Sequence, residues 1–114
     1  MTNQRLSVAL PAPIADYIAA ENRHDAEAAA RCFAEHAVVR DEGQTIEGRA
    51  SIERWVRETG RKYGHTIEPV ASSRKGDRII VTNRLTGSFP GSPIDVWFIF
   101  GLDGGEIMTL EIRS

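Results

Sequence analysis

The sequence predicts an α+β domain, with three N-terminal helices packed on one face of a strongly curved, mainly antiparallel sheet around a central pocket. Apart from a small hairpin, apolar residues before Gly64 recur at helical spacing, and beyond it the period changes to two. The links between the later segments are short turns, and short links between long strands join antiparallel neighbours. Helices and strands segregated along the chain in this way belong on opposite layers of one core.

Pro11 and Pro13 suit the first turn of a helix, and Ile14, Tyr17, Ile18 and Glu21 follow on one face. That helix is expected to end near Arg23. Asp25 is placed as the N-cap of a short second helix running through Phe33. Residues 37–41 read as a short strand and Glu42-Gly43 as a turn, with residues 44–47 pairing back. A third helix over residues 50–63 presents Ile52, Trp55, Val56, Thr59 and Tyr63 on one face. Strands are expected at 66–73, 78–89, 94–102 and 106–112, broken by Lys75-Gly76-Asp77, by residues 89–93 and by Asp103-Gly104-Gly105. Residues 1–10 read as an N-terminal arm, and the whole of 1–114 as one domain. Ile14, Ile18, Phe33, Ile52, Trp55, Val56 and Ile99 are the expected core.

At 114 residues, with 41% hydrophobic and 26% charged side chains, the composition is that of one globular domain. A net charge of -2 gives no electrostatic reason to expect nucleic acid or an anionic membrane as partner. Arg54, Arg57 and Arg61 share a helical face but are interleaved with Glu53 and Glu58, the pattern of a solvated, ion-paired surface. Cys32 is the single cysteine, so no internal disulfide forms. Neither a signal peptide nor a membrane span is evident, and the expected location is the cytoplasm. The strand from Ile94 is apolar on both faces, with Val96, Phe98 and Phe100 on one and Trp97 and Ile99 on the other. One face meets the helices; the other calls for a cover, and a homodimer built on Val96, Phe98 and Phe100 is the expectation.

There is no glycine-rich phosphate loop, nucleophile elbow or zinc motif. His24, His36 and His65 lie in three separate segments without ligand spacing, so neither a metal nor a cofactor is expected. Acid–base chemistry, or binding without chemistry, is what remains.

Three strings then carry a resemblance: residues 17–25, residues 33–41, and the glycine-led helix start Gly48-Arg49-Ala50-Ser51-Ile52. With Gly91-Ser92-Pro93-Ile94-Asp95 and the closing Asp-Gly-Gly hairpin, nearly the whole chain resembles the nuclear transport factor 2-like superfamily, with its SnoaL-like and ketosteroid isomerase-like domains. The resemblance implies that family's cystatin-like cone. The superfamily holds isomerases, polyketide cyclases, dehydratases, epoxide hydrolases and non-enzymatic transport factors, so fold alone does not assign function.

Similarity to the steroid isomerases implies roles for three residues. Tyr17 falls at the place of their oxyanion-hole tyrosine, Asp41 at that of the base, and Asp95, within Pro93-Ile94-Asp95, at that of a second donor. Proton abstraction beside a carbonyl needs a carboxylate within reach and donors aimed at the enolate oxygen. An aspartic acid donates only where burial keeps it protonated. Taken singly, Tyr17 also suits a core aromatic, Asp41 a turn former and Asp95 a solvent-facing carboxylate. Ile18, Trp55, Trp97 and Ile99 are the expected ligand-binding residues. Trp97, on the strand face of Asp95, and a turn without the isomerases' proline imply a smaller, mostly apolar carbonyl compound or lactone rather than a steroid. The readings left open are a proton-transfer enzyme (an isomerase or cyclase), a non-catalytic ligand-binding domain, and a dimerising interaction module.

Overall fold

The computed structural model describes residues 8–114, and most of the expected N-terminal arm lies outside them. Helix α1 spans Ala12–Asn22 and α2 Ala26–Arg31; strands β1 (Phe33–Asp41) and β2 (Gln44–Glu47) form a hairpin, and α3 spans Arg49–Tyr63. Strands β3 (Thr66–Lys75), β4 (Arg78–Thr86), β5 (Ile94–Asp103) and β6 (Glu106–Arg113) complete the chain. Proline in the first turn starts α1. Asp25 caps α2, its side chain accepting from the Ala28 N–H at 3.0 Å, as its position in the sequence predicts. The second helix stops at Arg31 rather than running through Phe33, because Phe33 already opens β1. The expected strand at 78–89 ends at Thr86, which leaves Phe89 in a loop.

The six strands form one mixed sheet in the order β2-β1-β6-β5-β4-β3. β3 to β6 make the expected antiparallel meander, while β1 pairs with β6 in parallel. The strongly curved sheet is a correction: the sheet is not strongly curved. Register shifts fall at Phe33/Val38, Pro69/Ala71 and Gly101/Leu102, but β4 and β5 pair from Arg78↔Gly101 to Leu85↔Ile94 without a break, so no bulge bends that pair. Enclosure therefore comes from the helices and the β4–β5 loop, which stand over the sheet.

The core lies between the helices and one sheet face. Tyr17, Phe33 and Phe100 meet edge to face, with centroids 5.2 and 6.1 Å from Tyr17. Ile14, Ile18, Ile52, Trp55 and Val56 join them, as expected. The faces of β5 are the reverse of the expectation. Val96, Phe98 and Phe100 are buried under the helices and cannot form a subunit interface, whereas Ile99 is only part-buried and Trp97 is 49% exposed. Alternation in the sequence separates the two faces but does not say which one the helices cover. Any self-association through the open face must use Trp97 and Ile99. Among the described residues no helix is long and apolar enough to cross a membrane.

This assignment of faces has a direct consequence for stability. Phe100→Ala should cost about 3–5 kcal/mol, as a large core side chain removed from a packed site. Trp97→Ala should cost the isolated chain no more than about 1 kcal/mol. Urea denaturation of both variants at low protein concentration measures the contrast.

Candidate functional site

A cavity of about 420 Å³ opens between the helices and the inner sheet face. Its floor is apolar, from Leu85, Val96, Phe98 and Ile112, and Phe89 and Pro90 of the β4–β5 loop overhang it. Its polar groups come from α1 (Glu21), the end of β1 and the turn after it (Asp41, Glu42), α3 (Trp55, Thr59, Tyr63), the α3–β3 junction (His65) and Ser114. An apolar cavity with a few convergent polar groups has the character of a small-molecule site.

Asp41 is the last residue of β1 and pairs with Gln44 across a two-residue loop. Glu42 and Gly43 both take positive φ, 53° and 78°, as a turn matched to strand twist requires. The turn thus ends the strand at Asp41 and leaves its part-buried carboxylate on the cavity wall. Trp55 Nε1 donates to Asp41 Oδ2 at 3.2 Å, and Oδ1 has no protein donor among the described residues. Burial, more than any charge, pushes the Asp41 carboxyl above the ordinary aspartate range; the Trp55 hydrogen bond opposes the shift, and the negative charges of Glu42 and Glu21 add to it.

Tyr17 sits beneath the cavity rather than on its wall. It is fully buried and its hydroxyl donates to Glu21 Oε2. Burial first, and the charge of Glu21 second, push that hydroxyl well above the usual tyrosine range, so it stays a donor committed to Glu21. Asp95 is elsewhere. It lies on the open sheet face, its side chain 47% exposed, with Oδ1 3.0 Å from Arg84 Nε and Oδ2 3.3 Å from Arg84 Nη2. The burial that would make it a neutral donor is absent. Of the three candidate catalytic residues, Asp41 alone borders the cavity. Of the candidate ligand-binding residues, Trp55 lines it and Ile18 is buried in the core behind it. Trp97 and Ile99 follow Asp95 to the other face and do not reduce the cavity.

Two residues that sequence reasoning passed over belong to the site. Glu21 is nearly buried between Tyr17 and His65, with Oε1 3.5 Å from His65 Nε2. The signal in the sequence was a glutamate on the apolar face of α1, four residues after Tyr17, where a charge is not left without a partner. His65 carries no such mark, because its partner is 44 positions away. Among the described residues no group of three His, Cys, Asp or Glu side chains is arranged to hold a metal ion.

Comparison with known proteins identifies the family and the fold. Residues 14–109 match the family described as the SnoaL-like domain. The chain is 35% identical to a protein described as a candidate polyketide cyclase from Sinorhizobium meliloti, over 91% of this chain and 95% of that one, with a TM-score of 0.87. A protein of ketosteroid isomerase-like fold from Catenulispora acidiphila, solved with trimethylamine, shares the architecture at 20% identity and TM-score 0.81, over 93% and 87% of the two chains. So does SalBIII, an epoxide hydrolase/cyclase-like enzyme of pyran ring formation in salinomycin, at 23% identity and TM-score 0.76, over 90% and 87%. No functionally curated protein matches the sequence.

Two measurements follow from the buried polar groups. Tyr17→Phe removes the donor of a buried carboxylate and should cost about 1.5–3 kcal/mol in urea denaturation. Asp41, held above its unfolded pKa, favours the native state at pH below the unfolded value, and that contribution is lost as pH rises through the folded pKa. Asp41→Asn should therefore raise thermal stability relative to wild type at pH 7, with the gain shrinking toward pH 3. Melting curves at the two pH values read this directly.

Proposed function

We propose, on the premise that this chain belongs to the SnoaL-like domain family, that its cavity performs proton transfer beside a carbonyl group of a small, mostly apolar substrate. The observation that carries this reading is Asp41: a part-buried carboxylate of raised proton affinity, with one oxygen that has no donor among the described residues, on the wall of an apolar cavity. Desolvation moves a carboxylate toward the basicity a general base needs near neutral pH. In this reading Asp41 removes a proton from the carbon next to the carbonyl, and the C–H electrons pass into a carbon–carbon double bond as the carbonyl becomes an enolate. Return of the proton at another carbon is an isomerisation; attack of the enolate on a second carbonyl of the same molecule is a cyclase-type aldol step. Identity of 35% to the candidate polyketide cyclase supports this class of chemistry.

A cavity that holds a ligand without turning it over is the competing reading. The placement of Tyr17 and Asp95 away from the wall favours it, since neither is free there to stabilise an enolate. Conversion of a small β,γ-unsaturated ketone to its conjugated isomer, followed by absorbance, decides between the two. The proton-transfer reading predicts turnover by wild type, a loss of roughly 10²–10⁴-fold in Asp41→Asn, and no effect of Asp95→Asn. Saturable ketone binding with no turnover across a panel of enolisable ketones would decide for binding alone.

A further inference from the structure

The cavity wall carries a basic group that the assignment of Asp41 does not use. Among the described residues that line it, His65 alone can carry positive charge; Glu21, Asp41 and Glu42 bring carboxylates to the same space. The imidazole is nearly buried, and its Nε2 stands 3.5 Å from Glu21 Oε1. That is an ion-pair distance rather than a formed hydrogen bond, so the nitrogen is not committed to the carboxylate. Among the described residues, Nδ1 is buried without a protein partner. The hydroxyl of Tyr17 occupies the other oxygen of Glu21, which leaves Oε1 turned to the imidazole. The backbone that carries His65 is also held in place. Gly64 ends α3 in the left-handed region at φ 53°, and the Ser88 N–H donates to Tyr63 O at 2.8 Å. A Cβ at Gly87 would lie 2.9 Å from His65 Cα, so the β4–β5 loop and the junction are in direct contact.

Resting on the proton-transfer reading above, we propose that His65 is the second catalytic group, the donor to the carbonyl oxygen of the substrate, with Glu21 as its positioning residue. As Asp41 takes the proton from carbon, the C–H pair forms the carbon–carbon double bond and the carbonyl π pair moves to oxygen. That oxygen takes a proton from the imidazolium and leaves a neutral imidazole; the reverse transfers restore both groups. The charge pattern also selects the substrate. Three carboxylates disfavour a ligand that arrives already anionic, whereas negative charge that develops on an oxygen beside His65 meets a cation. The substrate class is a neutral, enolisable carbonyl compound without a carboxylate or phosphate of its own.

Substituted phenols of graded acidity test this, because a phenolate resembles an enolate in shape and charge and its absorbance reports ionisation. Wild type should bind them more tightly as their acidity rises. His65→Phe should weaken that binding by about tenfold or more, the worth of a hydrogen bond to a charged group; His65→Gln, which keeps a neutral donor, should lose less. In Glu21→Gln the imidazole nitrogen NMR shifts of His65 should change, since the carboxylate facing Nε2 is gone; unchanged shifts would remove Glu21 from the positioning role. Asp41→Asn should bind phenols at least as tightly as wild type, because a repelling charge is removed. Turnover retained in Asp41→Asn would overturn the base assignment alone. Wild-type phenol affinity in folded His65→Phe and His65→Gln, or no phenol binding by wild type, would overturn His65 as donor.

Discussion

One side-chain amide joins the helical layer to the sheet where the site is built. Asn22, the last residue of α1, donates from Nδ2 to Ile67 O at 2.8 Å and accepts from the Ile67 N–H at 2.7 Å. Both backbone groups of one residue at the start of β3 are thereby satisfied by a helix rather than by a strand, in a part-buried setting where leaving them unpaired is costly. The clamp sits one residue after Glu21 and two residues after His65. The approach of those two side chains, across 44 positions of chain, follows from it.

The rest of the site is arranged around that joint. Tyr17 packs between Phe33 and Phe100 and offers its hydroxyl to Glu21, so the aromatic core and the polar wall share a residue. On the opposite side, the tight β1–β2 turn ends its strand at Asp41, and Trp55 reaches from α3 to hold the carboxylate. Acidic and basic groups therefore reach the cavity from elements that are fixed independently, one by a hairpin and the other by a helix-to-strand clamp.

Local chemistry made much of the fold readable. The Asp25 cap, the prolines of α1, the turn at Glu42-Gly43 and the change of period after Gly64 all act within a few residues, and each predicted its element. What depends on tertiary choice was not readable. The alternation of β5 marks two apolar faces, but burial of Val96, Phe98 and Phe100 rather than Trp97 and Ile99 is decided by where the helices settle. Asp95 went to the solvent face with Trp97 for that reason, and found Arg84 across the strand pair. The parallel pairing of β1 with β6, the limited curvature and the contribution of His65 likewise arise from contacts distant in sequence. At the site, Asp41 was expected from the family resemblance and Trp55 was among the expected ligand-binding residues, whereas Glu21 and His65 meet through a contact 44 positions apart in sequence.

The central claim is that a carboxylate in this cavity exchanges a proton with carbon next to a carbonyl. Incorporation of deuterium from heavy water into a small cyclic ketone, followed by proton NMR, tests it without assuming a product. The account predicts exchange by wild type well above the buffer rate, rising with pH as Asp41 ionises above the ordinary aspartate range, and exchange near the buffer rate in Asp41→Asn. Equal exchange in wild type and Asp41→Asn would contradict it.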